Sequence, residues 1–305
     1  MISTYNEWDS LKEVVVGTAT GANWPSADPV FALEPLKTTW RETPVPSGPV
    51  PQWIVDEANE DLDLLSATLE QLGARVHRPH HMDFVAREGM YNYCPRDRLL
   101  IYGDTVIDTP MMYPCRDMEI EALEFVITRA GKFLTMPRDR GIVLDAANVL
   151  RLNDSWLFLN SASGNHEALE WLQDRFVDVR IEPCNFYSGV HIDSTIVPLR
   201  EGLVMLNASR VTEQTCPRVF DKWDKIWVDD VVAQDFYQYP YASKWIAMNM
   251  LVVDPHTVIV DRHQQQLMLT LEQHNFDVVP LELRHSRTLG GGFHCVTLDL
   301  VRSHK

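Results

Sequence analysis

The sequence has no long apolar run and few basic residues for its size. No stretch approaches the roughly 20 apolar residues that a membrane span needs. The opening segment carries Glu7 and Asp9 without a basic or apolar run, so we expect no signal peptide. The 43 acidic residues outnumber the 27 lysines and arginines, for a net charge of −16. This charge argues against nucleic-acid and membrane partners, because both surfaces repel acidic proteins.

The sequence also has no pair of closely spaced cysteines. The five cysteines are odd in number, widely separated and without a CxxC motif. This spacing fits free thiols in a reducing compartment and argues against a zinc site. We therefore expect a cytoplasmic protein without a zinc site, in which one thiol is available as a nucleophile.

What the sequence does contain is a repeated order of elements: strand, tight turn, strand, helix, strand. Four copies begin near Leu99, Asn148, Ser194 and Met250. A fifth is split across the termini, with strands at 11–17, 74–78 and 296–302 and a helix at 56–72. Because such a unit cannot bury its own sheet, the copies must pack around a shared centre. The pattern predicts one α/β domain over residues 1–305, a five-bladed α/β propeller of ββαβ repeats around a pseudo-fivefold axis.

One long segment, residues 20–53, falls outside the repeats. It is rich in proline and indicates a long surface excursion. A lid over the site and an inert decoration are both open interpretations.

Polar and reactive residues stand just upstream of the leading hairpin in each copy. They are Asp97, Asp145, His191 with Asp193, Ser243 and Cys295. Equivalent positions in a ring of repeats face the pseudosymmetry axis, so we predict that these side chains converge there. A cysteine is more often a small core residue, but three glycines precede Cys295 closely, and they are costly unless the backbone turns sharply or approaches a ligand. We take the other four cysteines to be structural.

His294, the neighbour of Cys295, receives a different prediction. Side chains alternate along a strand, so we expect His294 to lie on the opposite strand face and to point away from the substrate.

With these residues in view, the sequence resembles the amidinotransferases of the guanidino-modifying (pentein) superfamily. The resemblance rests on YNEWDSL (5–11), CPRD (94–97), LDAAN (144–148), HID (191–193), SKWIAMNMLVVD (243–254) and LGGGFHC (289–295). These motifs follow one another in order along essentially the whole chain. The resemblance implies the same five-bladed fold and an enzyme that moves the amidino group of arginine to an amine, leaving ornithine. It also implies that no metal or organic cofactor is needed.

The resemblance also implies a role for each site residue. Cys295 matches the nucleophile, His191 the general acid and base, and Asp145 the carboxylate that orients it. Asp97 and Asp193 match the pair that grips the guanidinium. Arg210 matches the arginine that holds the substrate carboxylate, and Ser243 matches one of two adjacent serines that contact substrate.

Three departures from the family pattern concern the acceptor. Ala242 stands where glycine-specific relatives have the other serine, and Asn148 replaces the second acid of a common DAAD motif. The stretch between Gly131 and Gly141 is shorter than in the glycine-specific enzymes. Together they indicate an acceptor other than glycine.

Two rival interpretations remain open. A hydrolase with the same residues would use water as the acceptor and release citrulline and ammonia, or urea, from arginine. A non-catalytic propeller would act as a binding module and would have lost the site residues, which this chain keeps. The sequence names neither the acceptor amine nor the oligomeric state, and a homodimer is compatible with it.

Overall fold

The computed structural model describes residues 1–25, 28, 45–186 and 191–303. The strands are β1 (Ser10–Val16), β2 (Asn23–Trp24), β3 (Gly48–Pro49), β4 (Arg75–His77), β5 (Leu99–Tyr102), β6 (Thr105–Asp108), β7 (Lys132–Thr135), β8 (Val149–Leu152), β9 (Ser155–Leu159), β10 (Arg180–Cys184), β11 (Ile196–Arg200), β12 (Leu203–Asn207), β13 (Asp224–Val228), β14 (Leu251–Asp254), β15 (Thr257–Asp261), β16 (Asp277–Leu281) and β17 (Thr297–Ser303). The α-helices are α1 (Gln52–Gln71), α2 (Glu124–Ile127), α3 (His166–Arg175), α4 (Gln265–Gln273) and α5 (Ser286–Leu289). Short 3₁₀ helices cover Pro95–Asp97, Pro114–Leu123, Ala146–Asn148, Ile192–Ser194, Arg218–Phe220 and Lys244–Met248.

Five of the sheets share one topology. Each has three strands, with an antiparallel pair followed by a third strand parallel to the middle one. The orders are β5-β6-β7, β8-β9-β10, β11-β12-β13, β14-β15-β16 and β17-β1-β4. The last sheet joins the two ends of the chain, as predicted, since β17 is antiparallel to β1 and β4 is parallel to it. The predicted five-bladed α/β propeller is confirmed.

Local chemistry explains the hairpins. Gly103, Asn153 and Gly202 each have a positive φ, at 58°, 65° and 83°, in the turns between paired strands. Glycine adopts this left-handed conformation without a steric penalty, and asparagine tolerates it better than other residues. The turn residues therefore fix the register of three blades.

The helices vary more than the repeat predicted. Helix α1 buries residues at three- and four-residue spacing, from Ile54 through Leu62 to Leu69, against the sheets. In the first copy, however, most of the predicted helix is the 3₁₀ segment Pro114–Leu123, and only Glu124–Ile127 is α-helical. In the third copy the corresponding segment holds only the 3₁₀ turn Arg218–Phe220, because hydrogen bonds between Thr212 and Thr215 give the backbone an alternative to a helix.

Apolar clusters join neighbouring blades and close the ring. Leu100 and Ile107 of one blade pack with Trp156 and Phe158 of the next. On the other side of the same blade, Leu99 and its neighbours pack with residues of β1 and β17. Because each blade buries its apolar side chains against adjacent blades, the core forms only when the ring is assembled.

Two further observations complete the outline. Among the described residues, we find no helix whose length and apolar content would let it span a bilayer. The excursion at 20–53 begins and ends at the paired strands β2 and β3, but most of it lies outside the described residues, so the lid hypothesis is not addressed.

Candidate active site

The 3₁₀ turns that precede each hairpin bring the predicted residues to the centre. Asp97 ends the turn Pro95–Asp97, and Asp145 precedes Ala146–Asn148. His191 precedes Ile192–Ser194, which contains Asp193, and Ser243 precedes Lys244–Met248. Successive turns contact one another, and the first also contacts β17. The predicted positions are therefore similar in their blades without being strictly equivalent.

The glycines before Cys295 are required by close packing. A Cβ on Gly292 would lie 2.7 Å from the Cβ of Asn249, and one on Gly291 would lie 2.4 Å from the Sγ of Cys94. Both distances are too short for real side chains. The Asn249 Oδ1 accepts a hydrogen bond of 2.9 Å from the Cys295 backbone N–H. Asn249 thus fixes the backbone of Cys295, a function that the sequence did not signal.

The Cys295 thiol lies in the predicted cluster. Its Sγ is 3.4 Å from the Asp193 Oδ2. A ring nitrogen of His191, a carboxylate oxygen of Asp97 and the Cys295 sulfur all lie within 4.8 Å of one another. Burial, followed by the charges of Asp193 and Asp97, raises the pKa of the Cys295 thiol well above its usual range. The resting side chain is therefore a neutral thiol.

His191 sits between two carboxylates. Its Nε2 is 3.0 Å from the Asp145 Oδ2, and its Nδ1 is 3.4 Å from the Asp97 Oδ1. Burial would lower the pKa of His191, but the charge of Asp97 and the hydrogen bond to Asp145 outweigh it and raise the pKa to about 9. The other oxygen of Asp145 accepts a hydrogen bond of 2.8 Å from the Met112 backbone N–H, and this bond holds the carboxylate in place. A protonated ring in a fixed orientation can act as a general acid.

The two carboxylates nearest the sulfur each retain an oxygen for a ligand. Among the described residues, the Oδ1 of Asp97 and the Oδ1 of Asp193 are buried without a hydrogen-bond partner. The other oxygen of Asp97 accepts a hydrogen bond of 2.9 Å from Arg116, whose guanidinium also pairs with Glu119. Sequence reasoning missed Arg116 and Glu119. Buried acceptors without donors are costly unless a ligand supplies the donors.

Arg210 and Ser243 lie together beside the turn that carries Asp193. The Arg210 guanidinium donates to the Thr195 Oγ1 at 2.8 Å, to the Ser194 Oγ at 3.3 Å and to the Ser243 Oγ at 3.2 Å. Their predicted contacts with substrate stay a prediction.

Two of the departures from the family pattern lie in buried positions. Ala242 is buried, and its backbone N–H donates a hydrogen bond of 3.2 Å to the Arg287 carbonyl. Asn148 is fully buried and donates a hydrogen bond of 2.8 Å to the Ser163 Oγ. The Ser163 carbonyl in turn accepts a hydrogen bond of 2.7 Å from the Asp145 N–H. Asn148 therefore supports the segment that holds Asp145.

The prediction that His294 faces away from the site was wrong. It assumed a strand, but residues 293–296 form a turn and β17 begins only at Thr297. Alternation therefore does not apply, and the ring is buried with its Nδ1 2.8 Å from the same Asp193 oxygen that faces Cys295. Its Nε2 lies 3.2 Å from the Glu7 Oε2.

Glu7, from the YNEWDSL motif, belongs to a buried network of charges behind the site. Arg151 donates to both Glu7 oxygens at 2.8 and 2.7 Å and to the Asp299 Oδ2 at 3.0 Å. Asp299 also pairs with Arg96 and Arg302. This network connects the N-terminal segment to the last strand and to His294.

The cluster of Asp97, His191 and Cys295 has a spacing at which three side chains could share a metal ion. The absence of a metal therefore stays a prediction, as do the catalytic roles of the site residues.

Comparison with known proteins shows which proteins this chain is similar to. No family model matches the chain. It is 40% identical to inosamine-phosphate amidinotransferase 1 of Streptomyces griseus, over 99% of this chain and 97% of that protein. A solved structure of the inosamine-phosphate amidinotransferase of S. griseus superposes with a TM-score of 0.94 at 39% identity, covering 100% of this chain and 98% of that chain. The L-arginine:L-lysine amidinotransferase of Pseudomonas savastanoi pv. phaseolicola is 28% identical over 100% of this chain and 95% of that protein. The chain belongs to the amidinotransferase family.

Proposed function

We propose that the protein transfers the amidino group of L-arginine to an amine other than glycine, through a covalent amidino group on Cys295. The observation that carries the proposal is the surrounding of the Cys295 sulfur. Two buried carboxylates, each with one oxygen that accepts no hydrogen bond from the described residues, and a protonated imidazole lie around it. A planar guanidinium with several N–H donors matches such acceptors.

Donor binding would activate the thiol. The guanidinium cation would offset the charges of Asp97 and Asp193, which, after burial, contribute most to the raised pKa of Cys295. The thiol would then lose its proton to solvent, and only the thiolate is nucleophilic. Because of this coupling, the Cys295 thiolate would form only in active sites that already hold arginine.

The first half-reaction would form a C–S bond and break a C–N bond. The Cys295 thiolate adds to the guanidinium carbon, and His191 donates its proton to the departing nitrogen, so that ornithine leaves as an amine. Asp145 stabilises the protonated ring and keeps its orientation. The product is a cationic amidino group on sulfur and a neutral His191.

The second half-reaction would reverse these steps with a new amine. Neutral His191 accepts a proton from the acceptor amine, which attacks the amidino carbon, and the Cys295 thiolate leaves. Atoms and charges balance without a metal or organic cofactor. Kinetics should follow a ping-pong scheme.

Arginine as the donor is supported by the similarity to the L-arginine:L-lysine amidinotransferase. For the acceptor, relatives of higher identity are inosamine-phosphate amidinotransferases, and this chain has Ala242 where glycine-specific enzymes carry a serine. We infer an amine acceptor other than glycine. Incubation with arginine and a panel of amines, including glycine, lysine and aminocyclitol phosphates, would identify it by the mass of the guanidinated product.

The test of the nucleophile is Cys295→Ala. It should abolish ornithine formation while arginine binding stays measurable by calorimetry, and the wild type incubated with arginine alone should carry an amidino adduct on the Cys295 peptide. Cys216→Ala, at a partly exposed cysteine in another blade, is the matched control and should remain active. Activity of Cys295→Ala near the wild-type rate would refute the proposal.

The hydrolase interpretation is separated by omitting the acceptor. A hydrolase would release citrulline or urea continuously from arginine alone, whereas a transferase would release at most about one ornithine per active site before stopping. Family membership favours the second outcome.

A further inference from the structure

We propose that His294 is a positioning residue that, by bridging Asp193 and Glu7, holds the Asp193 carboxylate in the orientation that receives the substrate guanidinium. This inference rests on the proposed function, because it assigns a task to a residue that does not itself reach the sulfur. It concerns donor binding and leaves the chemical steps to Cys295 and His191.

The geometry defines the protonation of the ring. The two nitrogens of His294 face carboxylate oxygens of Asp193 and Glu7 at 2.8 and 3.2 Å. An ionised carboxylate only accepts hydrogen bonds, so both nitrogens must donate, as in the imidazolium form. Both carboxylates are buried, and the ring is 8% exposed. The ring therefore joins a carboxylate beside the Cys295 sulfur to one in the buried network behind it.

The bridge determines which oxygen of Asp193 is available. The Oδ2 of Asp193 accepts from both His294 and the Cys295 thiol. Its Oδ1 is buried and has no hydrogen-bond partner among the described residues. A carboxylate fixed through one oxygen presents the other in a single direction, which lowers the ordering cost of binding a cation.

Asp193 and Asp97 differ in how strongly their surroundings stabilise the negative charge of the carboxylate. Burial alone would raise the pKa of Asp193, but the hydrogen bond and charge of His294 outweigh it and hold the pKa below its usual range. Asp97 has the charges of His191 and Arg116 beside it, but burial outweighs them and raises its pKa. Asp193 is thus the carboxylate whose charge is secured before substrate arrives.

Glu7 anchors the ring from behind. It accepts from Arg151 through both oxygens and lies 3.6 Å from Arg96. Its charge is therefore satisfied with or without His294. Loss of the bond to Glu7 should cost less function than loss of the bond to Asp193.

Two amide substitutions separate the two bonds. The Nδ2 of an asparagine occupies nearly the place of a histidine Nδ1, and the Nε2 of a glutamine that of a histidine Nε2. His294→Asn should keep the bond to Asp193, and His294→Gln should keep the bond to Glu7. Both variants are neutral amides with an N–H donor, so the main difference between them is which bond remains.

The experiment measures arginine binding by calorimetry in the Cys295→Ala background, with thermal unfolding as the control for stability. We expect His294→Gln to weaken arginine binding at least threefold more than His294→Asn does, and the same order should appear in KM rather than in kcat when Cys295 is intact. Equal binding by the two variants at equal stability would overturn the role of His294. Absence of arginine binding by Cys295→Ala and by the wild type alike would refute the proposed function instead.

A measurement that leaves His294 in place covers the case in which neither His294 variant folds. Nitrogen-15 NMR of labelled histidines at neutral pH should show a ring with both nitrogens protonated, assigned to His294 by its shift in Glu7→Gln. A His294 ring with one bare nitrogen would overturn the bridge.

Discussion

Replacing Asp193 with asparagine would test the electrostatics of the site directly, because the substitution removes one negative charge and keeps the size of the side chain. After burial, Asp193 is the largest contributor to the raised pKa of the Cys295 thiol. We therefore expect Asp193→Asn to make Cys295 more reactive toward a neutral alkylating agent, although the variant binds arginine less well. A variant that loses activity while its nucleophile becomes more reactive is a distinctive outcome.

The magnitude follows from the separation of the two groups. Unit charges 3.4 Å apart repel by about 1.2 kcal/mol in a water-like dielectric and by about 5 kcal/mol at an effective dielectric constant near 20. The lower figure raises the thiolate fraction roughly eightfold. Lowering the pKa of the thiol also makes its thiolate a weaker nucleophile, with a Brønsted exponent of about 0.4 to 0.5. The two effects together should raise the alkylation rate about threefold or more.

The assay is alkylation by iodoacetamide at pH 8, followed by mass spectrometry of the peptide that contains Cys295. Asp178→Asn, at an exposed position in another blade, is the matched control and should alkylate at the wild-type rate. Asp97→Asn should give a smaller increase than Asp193→Asn, because Asp97 contributes less to the raised pKa of the thiol. An unchanged or slower rate for Asp193→Asn would refute the electrostatic reasoning.

Two further variants probe the buried charges that support the site. The pKa of His191 is raised from 6.5 to about 9, so the stabilisation carried by the protonated ring is complete below pH 6.5 and is lost as the pH rises through 9. The stability advantage of the wild type over His191→Gln should therefore shrink by up to about 3 kcal/mol between pH 6 and 9.5 in urea unfolding, and a constant difference would contradict this. Arg151→Met removes the shared partner of Glu7 and Asp299. It should lower the free energy of unfolding by about 3 kcal/mol, the lower end for a broken buried pair, because Arg96 stays near Glu7 and Arg302 stays paired with Asp299. Unfolding of Arg151→Met at the wild-type urea midpoint would show that the network contributes little.

Much of the architecture could be predicted because its signals are local. Turn residues such as Gly103 and Asn153 mark hairpins, and regular spacing of apolar residues marks helices such as α1. The repeat of these signals gave the number of blades and the closure of the ring by the terminal strands. The glycines before Cys295 indicated close packing, and the structure supplies the neighbours, Asn249 and Cys94.

Local signals were weaker where competing interactions decide the conformation. The segment 115–131 has helical spacing, yet most of it is 3₁₀ helix, in a segment that begins at Pro114. The side chain of His294 was misplaced for a related reason, since alternation holds only for residues that are in a strand. In both cases the sequence pattern was present, but the regular α-helix or β-strand on which the prediction relied did not form there.

The sequence by itself determined the order of the blades and the turns that carry Asp97, Asp145, His191 and Cys295, because turn geometry and side-chain periodicity are properties of short segments. Only the tertiary structure decided which charges are partnered, as in the contacts of Glu7 with Arg151 and of His294 with Asp193, 144 and 101 residues apart. No periodicity links such residues. The protonation and orientation of a buried ionisable group depend on the charges and the water-excluding packing around it, and these exist only once the ring has closed.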